Sequence, residues 1–230
     1  MESVLKNMLK TKKNFVFVGE AGCGKSELAI NFALNMAKIS DMPVHFFDMD
    51  QTKPLFRSRD AAKLLEDGGV SVHYQDQLFD APTTPGGVRG LMSNPKTIVI
   101  MDVGGDHTGA RIIGAYEEYL NKEDCQNFFV INSYRPWSRE LLAIDGTMAS
   151  VLGMARIDLS NVSVISNPNL GLDTSAEEVL EGHKNLLGTL DGHLNVDYLS
   201  VLEDLCPAVQ DKTDIPLIPV NLYLTYEWLK

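Results

Sequence analysis

Short, almost unbroken apolar runs alternate along this chain with longer stretches in which apolar residues return every three or four positions. The runs at 14–18, 44–47, 97–101, 128–131, 162–166 and 215–220 read as strands. The first, Phe15-Val16-Phe17-Val18, is apolar at successive positions, as a strand covered on both faces requires. Val70-Ser71-Val72-His73-Tyr74 alternates and reads as a further strand. The helical period fills about 25–39, 55–65, 110–120, 138–153 and 175–187. Residues 1–13, with Val4, Leu5, Met8 and Leu9 as a stripe, predict a short leading helix on the sheet edge, and 195–205 reads as a short amphipathic segment.

Punctuation agrees with this division. Pro43 marks the entry to the second strand, Gly68-Gly69 stops the helix over 55–65, and Ser175-Ala176-Glu177-Glu178 resembles a capping box. Pro216 and Pro219 flank the last run and suit an edge strand. Residues 75–96, with Pro82, Pro85, Gly86, Gly87 and Gly90, read as a long connection of the kind that often faces a partner. Strands alternating with helices predict one domain, α/β, with a doubly wound, mostly parallel sheet flanked by helices.

The first strand runs into Gly19-Glu20-Ala21-Gly22-Cys23-Gly24-Lys25-Ser26, and a helix follows at once. This fits the phosphate-binding loop G-x-x-x-x-G-K-[ST] in the strand-to-helix setting that motif requires. Glycines let successive N–H groups turn around an anion while the helix points its positive dipole end at the same place. Gly19, Gly22, Cys23, Gly24, Lys25, Ser26 and Glu27 are therefore the expected nucleotide contacts, with Lys25 on the β- and γ-phosphates and the Ser26 hydroxyl on Mg²⁺.

Two more strand ends carry acid. Val44–Phe47 leads into Asp48-Met49-Asp50, and Thr97–Met101 into Asp102-Val103-Gly104-Gly105-Asp106-His107. Carboxylates at the carboxyl ends of parallel strands lie where open α/β sheets bind ligands. Asp50 and Asp102 are the candidate catalytic and Mg²⁺-binding carboxylates beside Lys25 and Ser26, and Gly105 is the candidate backbone donor to a γ-phosphate. The alternative for Asp48 and Asp50 is that they cap the helix that begins near Leu55. Arg57 and Arg59 read as a solvated face, as do His183 and His193. Asn121-Lys122-Glu123-Asp124 matches a guanine-reading string, yet it precedes a strand instead of following one and so belongs at the wrong end of the sheet. Two polar loops follow later strands. In 132–139, Arg135 is either a second phosphate cation or a stacking partner of Tyr134 and Trp137, and in 167–171, Asn167-Pro168 reads as a turn whose amide offers a donor and an acceptor.

Among these, composition excludes more than it selects. The 230 residues are 44% hydrophobic and 22% charged with a net charge of −11, which argues against a nucleic-acid surface. No apolar run approaches the length of a membrane span, so neither nucleic acid nor membrane is an expected partner and a cytoplasmic location is. The aromatic tail 221–230 lacks the lysine-rich face of a membrane-surface helix. Three scattered cysteines, Cys23, Cys125 and Cys206, have no metal-ligand spacing.

Taken together, Gly19–Ser26, the Asp48-x-Asp50 strand end and Asp102-Val103-Gly104-Gly105-Asp106 resemble the MinD/ParA/CobQ-type ATPases, a group that includes the nitrogenase iron protein. The resemblance covers most of the chain in element order and is sharp in those three places. It implies an ATP- and Mg²⁺-dependent switch that binds ATP or ADP, acts on a protein partner and forms a nucleotide-dependent homodimer. By it, Asp50 orients the attacking water, Asp102 is the aspartate of the second switch, and Asn167 hydrogen-bonds adenine. Two departures stand out. Glu20 occupies the position of the family's signature lysine, and 106–111 holds no cysteine for a bridging cluster. A dethiobiotin synthetase-like ligase or kinase, a GTP-dependent metal-insertion protein and a non-hydrolysing nucleotide-binding module remain alternatives.

Overall fold

The computed structural model describes residues 1–50, 58–74, 86–105 and 107–224. The expected helix start at Leu55, Arg57, the Arg59 side chain, Pro82, Pro85, Asp106 and the tail beyond Leu224 lie outside the described residues. Elements follow in the order α1 (Glu2–Met8), β1 (Asn14–Val18), α2 (Lys25–Ile39), β2 (Val44–Met49), α3 (Ala62–Asp67), β3 (Val70–His73), α4 (Val88–Ser93) and β4 (Ile98–Val103). The second half holds α5 (His107–Ile113), α6 (Glu117–Leu120), β5 (Cys125–Ile131), α7 (Leu141–Ala155), β6 (Val162–Ser166), α8 (Ala176–Leu190), β7 (Tyr198–Leu202), α9 (Cys206–Val209) and β8 (Leu217–Val220).

The eight strands form one sheet in the order β3-β2-β4-β1-β5-β6-β7-β8, and every pairing is parallel. Parallel sheets need cover on both faces, and both are covered here. On one face α2 packs Leu28, Phe32 and Met36 against Phe15, Phe17, Phe46 and Phe128. Phe32 meets Phe17 edge-on at 5.0 Å and Phe128 at 5.3 Å. On the other face Ile113, Ile144, Met148, Leu152 and Leu186 cover Val16, Met101, Phe129 and Val164. The chain runs from β1 out to β2 and β3 on one side, returns through β4, then crosses to β5 and continues outward. The carboxyl end of β1 is therefore where the winding reverses, and ligand crevices of open α/β sheets form at such a point.

Several expectations change. The sheet is parallel throughout its described strands. The connection 75–96 contains a helix, α4, whose Val88 and Met92 are buried. Glycines at 86, 87 and 90 hid its two-residue apolar footing. The helix expected over 110–120 breaks into α5, a 3-10 turn at Gly114–Tyr116 and α6. Added bulk at Gly114 would sit 2.7 Å from the Met154 carbonyl, so α7 crosses there too closely for a continuous bulky helix face. The segment 195–205 contains strand β7, buried at Leu199, Ser200 and Val201. His183 is not on the surface. It is 6% exposed on α8, and burial pushes its imidazole below the ordinary range. The capping box is present, Ser175 accepting from Glu178 N while the Glu178 carboxylate accepts from Ser175 N. Asn121–Asp124 lies at the amino end of β1, where the Asp124 carbonyl accepts the N–H groups of Lys13 and Asn14. No helix among the described residues is long and apolar enough to cross a membrane.

Candidate functional site

The site is built on the sharp turn between β1 and α2. Gly19, Gly22 and Gly24 have φ of +140°, +74° and +100°, so the loop curls with main-chain groups facing inward. Gly24 is the N-cap of α2 and closes its first turn through Leu28 N to the Gly24 carbonyl at 3.1 Å. Lys25 and Ser26 open the helix, and both are buried. The lysine turns back into the loop, donating to the Glu20 carbonyl at 2.8 Å with Cys23 Sγ at 3.8 Å. Glu20 bends over its neighbour, its carboxylate accepting from Ala21 N at 3.0 Å. An ammonium and a helix N-terminus meet at this glycine turn, and such a cradle suits a phosphate.

On one side of the loop stand β4 and β2. Asp48 and Asp102 are register partners, so both carboxylates leave the sheet at the same level. Asp50, past the end of β2, donates its N–H to Asp48 Oδ1 at 2.9 Å. All three are no more than 2% exposed. The strand end of β4 closes against the loop through glycine. A Cβ at Gly105 would lie 2.5 Å from Ala21 N and 2.8 Å from the Glu20 carbonyl carbon, and one at Gly104 would lie 3.1 Å from Asp50 Oδ1. These contacts place Gly105 on the loop and Gly104 against Asp50, with Asp102 opposite Phe17 of β1 in the sheet. Among the described residues no three of His, Cys, Asp and Glu converge into a metal cage made of protein atoms alone. Ser26 with Asp50 and Asp102 does fit the way Mg²⁺ is held, by one or two carboxylates completed by substrate phosphates and water.

On the other side stand β5, β6 and β7. Asn167, 6% exposed at the end of β6, donates through Nδ2 to the Cys23 carbonyl at 2.7 Å and accepts from the Ser200 hydroxyl on β7. A Cβ on Gly24 would collide with that same Nδ2. The amide therefore braces the loop, and its hydrogen bonds run to the protein's own backbone and to Ser200. Arg135, in the loop after β5, donates from Nε to the Gly22 carbonyl at 2.9 Å. Tyr134 donates its hydroxyl to the Glu178 carbonyl, and Trp137 packs into the core, so neither stacks on the arginine. Between these groups lies a cleft of about 100 Å³ lined by Gly22, Gly24, Glu27, Arg135, Asn167 and Leu222. That is room for part of a nucleotide, since whole small-molecule sites run from about 300 Å³ upward.

Glu27 has a role that its place in the motif did not suggest. Its two carboxylate oxygens accept the N–H groups of Tyr223 and Leu224 at 2.9 and 2.7 Å. One turn on, fully buried Asn31 accepts from Asn221 N at 2.9 Å and donates to the Asn221 carbonyl at 2.8 Å. Burial raises the Glu27 carboxyl above its ordinary value, the nearby Asp102 charge adds to the rise, and the two N–H bonds oppose it. Two polar side chains four apart on the loop's helix thus hold the segment after β8 by its main chain. Sequence reasoning missed Asn31 and Ser200; the only local sign was an Asn on an otherwise apolar face of α2.

No family model and no curated protein sequence matches this chain. Solved structures with a similar backbone include cell division protein FtsY of Thermotoga maritima, at 16% identity over 87% of this chain and 69% of that one, with a TM-score of 0.49. The signal recognition particle 54 kDa protein of Aeropyrum pernix K1, in complex with GDP, is 16% identical over 86% of this chain with a TM-score of 0.39, and this chain spans 40% of its length. The BceF tyrosine kinase domain is 18% identical over 73% of this chain and 76% of that one, with a TM-score of 0.41. These structures do not single out the MinD/ParA/CobQ group. What the chain itself carries is an all-parallel sheet that reverses its winding at a glycine loop closed by lysine and serine, the setting the phosphate-binding motif requires.

Proposed function

We propose that this protein binds ATP with Mg²⁺ and hydrolyses it slowly, as a nucleotide-driven switch acting on a partner protein. The observation that carries this reading is the closure of Gly105 onto Glu20–Ala21 beside Lys25, Asp50 and Asp102. It joins a phosphate cradle to two strand ends that respond to what the cradle holds. Lys25 exchanges its bond to the Glu20 carbonyl for phosphate oxygens, the Gly105 N–H donates to the γ-phosphate, and Asp50 orients a water for in-line attack. Mg²⁺, held by Ser26 with Asp102 and Asp50, supplies charge neutralisation on the β- and γ-phosphate oxygens.

Adenine is favoured over guanine on two grounds. The Asn121–Asp124 string sits at the amino end of the sheet, and Glu27, the one carboxylate lining the cleft among the described residues, is taken by Tyr223 and Leu224. A partner is supported by Leu142 and Leu159, 83% and 60% exposed on the α7 flank beside an apolar groove of about 330 Å³.

The test is phosphate release from ATP and from GTP with Mg²⁺, over a range of protein concentration, for wild type and Lys25→Ala. Release from ATP that vanishes in the variant is expected, and a rate per subunit that rises with concentration marks the homodimer. GTP turnover exceeding that of ATP, or release untouched by Lys25→Ala, overturns the reading.

A further inference from the structure

We infer that Arg135 is a phosphate-binding residue, supplied from the β5 side to the α- and β-phosphates of the nucleotide held by the same chain's loop. The inference rests on the proposed nucleotide reading and deepens it.

Charge first favours such a group. Among the described residues the loop's own cation is Lys25, in a chain whose net charge is −11. A polyphosphate adds several negative charges, so a second cation at the loop stabilises it. Geometry then identifies the group. Arg135 Nε is fastened to the Gly22 carbonyl at 2.9 Å, and a Cβ on Gly22 would meet the guanidinium carbon and Nε at 3.5 Å. The guanidinium therefore lies flat along the loop's outer edge. Only its Nε–H is used; the four Nη–H donors have no protein acceptor among the described residues, and the residue is exposed. A planar fork held at one nitrogen and open at the other two matches the bidentate arrangement that arginine makes with phosphate oxygens.

Its approach assigns the phosphates. β5 flanks β1 on the side opposite β4, so Arg135 reaches the loop away from Asp50, Asp102 and Gly105, where the γ-phosphate and Mg²⁺ belong. It shares the cleft with Gly24, Asn167 and Leu222 on the nucleoside side. Its charge thus falls on the group that remains after the γ-phosphate departs, and ADP gains from it as much as ATP does. The segment is stiffly held for this purpose. Arg135 N donates to the Asn132 carbonyl, Ser138 N and Oγ both donate to the Arg135 carbonyl, and Pro136 follows.

The experiment is calorimetric titration of the full chain with ADP for wild type, Arg135→Ala, Arg135→Gln and Arg135→Lys, each at two salt concentrations. Glutamine keeps a donor for the Gly22 carbonyl and loses the charge, which separates phosphate binding from simple bracing of the loop. Both Arg135→Ala and Arg135→Gln are expected to weaken ADP about ten- to a hundredfold and to flatten the salt dependence, while Arg135→Lys recovers part of the loss. ADP binding by Arg135→Gln as tight and as salt-sensitive as wild type overturns the assignment while leaving the nucleotide reading intact. A wild-type chain that binds no ADP overturns both.

Discussion

On the β4 side of the phosphate loop, Asp48, Asp50 and Asp102 are gathered in the interior, and glycine backbone packs directly on Glu20 and Ala21. On the β5 side the contacts come from Asn167, Ser200 and Arg135, neutral amide and hydroxyl groups already engaged with the protein and one cation at the rim. Carboxyl groups gathered in the interior make the first side the one on which an arriving cation acts. Satisfied amides gain little by moving, so the second side is a fixed wall. The same loop thus rests between a responsive half and a rigid half, and its response is directed toward β2 and β4.

The largest effect that would break this contrast is expected at Gly105. Gly105→Ala sets a methyl group 2.5 Å from backbone nitrogen, which cannot be relieved by rotating a side chain. A stability loss of about 1–3 kcal/mol by urea titration is expected, together with loss of ADP binding beyond a hundredfold. Native stability and affinity in that variant would show that the responsive half is loosely packed. Next comes Asn167→Ala, which strips the Cys23 carbonyl and the Ser200 hydroxyl of their partner; about 1–3 kcal/mol is expected in the same assay, with a smaller fall in ADP affinity. Should stability hold while affinity collapses, Asn167 acts on the ligand and the wall is not fixed. Asp102→Asn removes the charge that bears on Glu27 and is expected to lower Mg²⁺-dependent phosphate release about a hundredfold or more.

The smallest effect is a pH dependence. The Glu27 carboxyl is raised above 4.5 by burial, with Asp102 adding to the rise. The folded chain then holds this proton more tightly than the unfolded chain, so the associated stability is fully present below pH 4.5 and is lost as pH climbs through the raised value. The urea midpoint of wild type should fall relative to that of Glu27→Gln as pH rises from about 4 toward neutrality. A difference that stays flat across that range would sink this account of Glu27.

What was legible in the sequence follows the range of the forces involved. β1, α2 and β6 were read to the residue: β1 is an apolar run stopped by Gly19, Gly24 opens α2, and Asn167-Pro168 closes β6. β7 was missed because Val196, Leu199, Leu202 and Leu205 repeat every three residues and suggest a helix, whereas pairing with β6 and β8 makes Leu199–Val201 a buried strand. His183 carried a usable sign. It falls on the stripe Val179, His183, Leu186, Leu190, whose spacing is that of a buried helix face. The phosphate loop and its three carboxylates were legible because their chemistry fixes residue type at fixed spacing. The Arg135 contact with Gly22 spans 113 residues and the Asn167 contact with Cys23 spans 144, and no local pattern encodes either.

The main-chain clamp that Glu27 and Asn31 place on Asn221–Leu224 joins positions 190 to 197 residues apart. Chains emerge from the ribosome amino end first, so α2 and its glycine loop are made long before the segment they grip. Until that segment arrives, the Glu27 carboxylate has no tail N–H groups to hold, and the Asn31 side chain keeps only its bond to the Glu27 carbonyl within α2. The clamp therefore closes late in synthesis, when the segment after β8 lands beside α2.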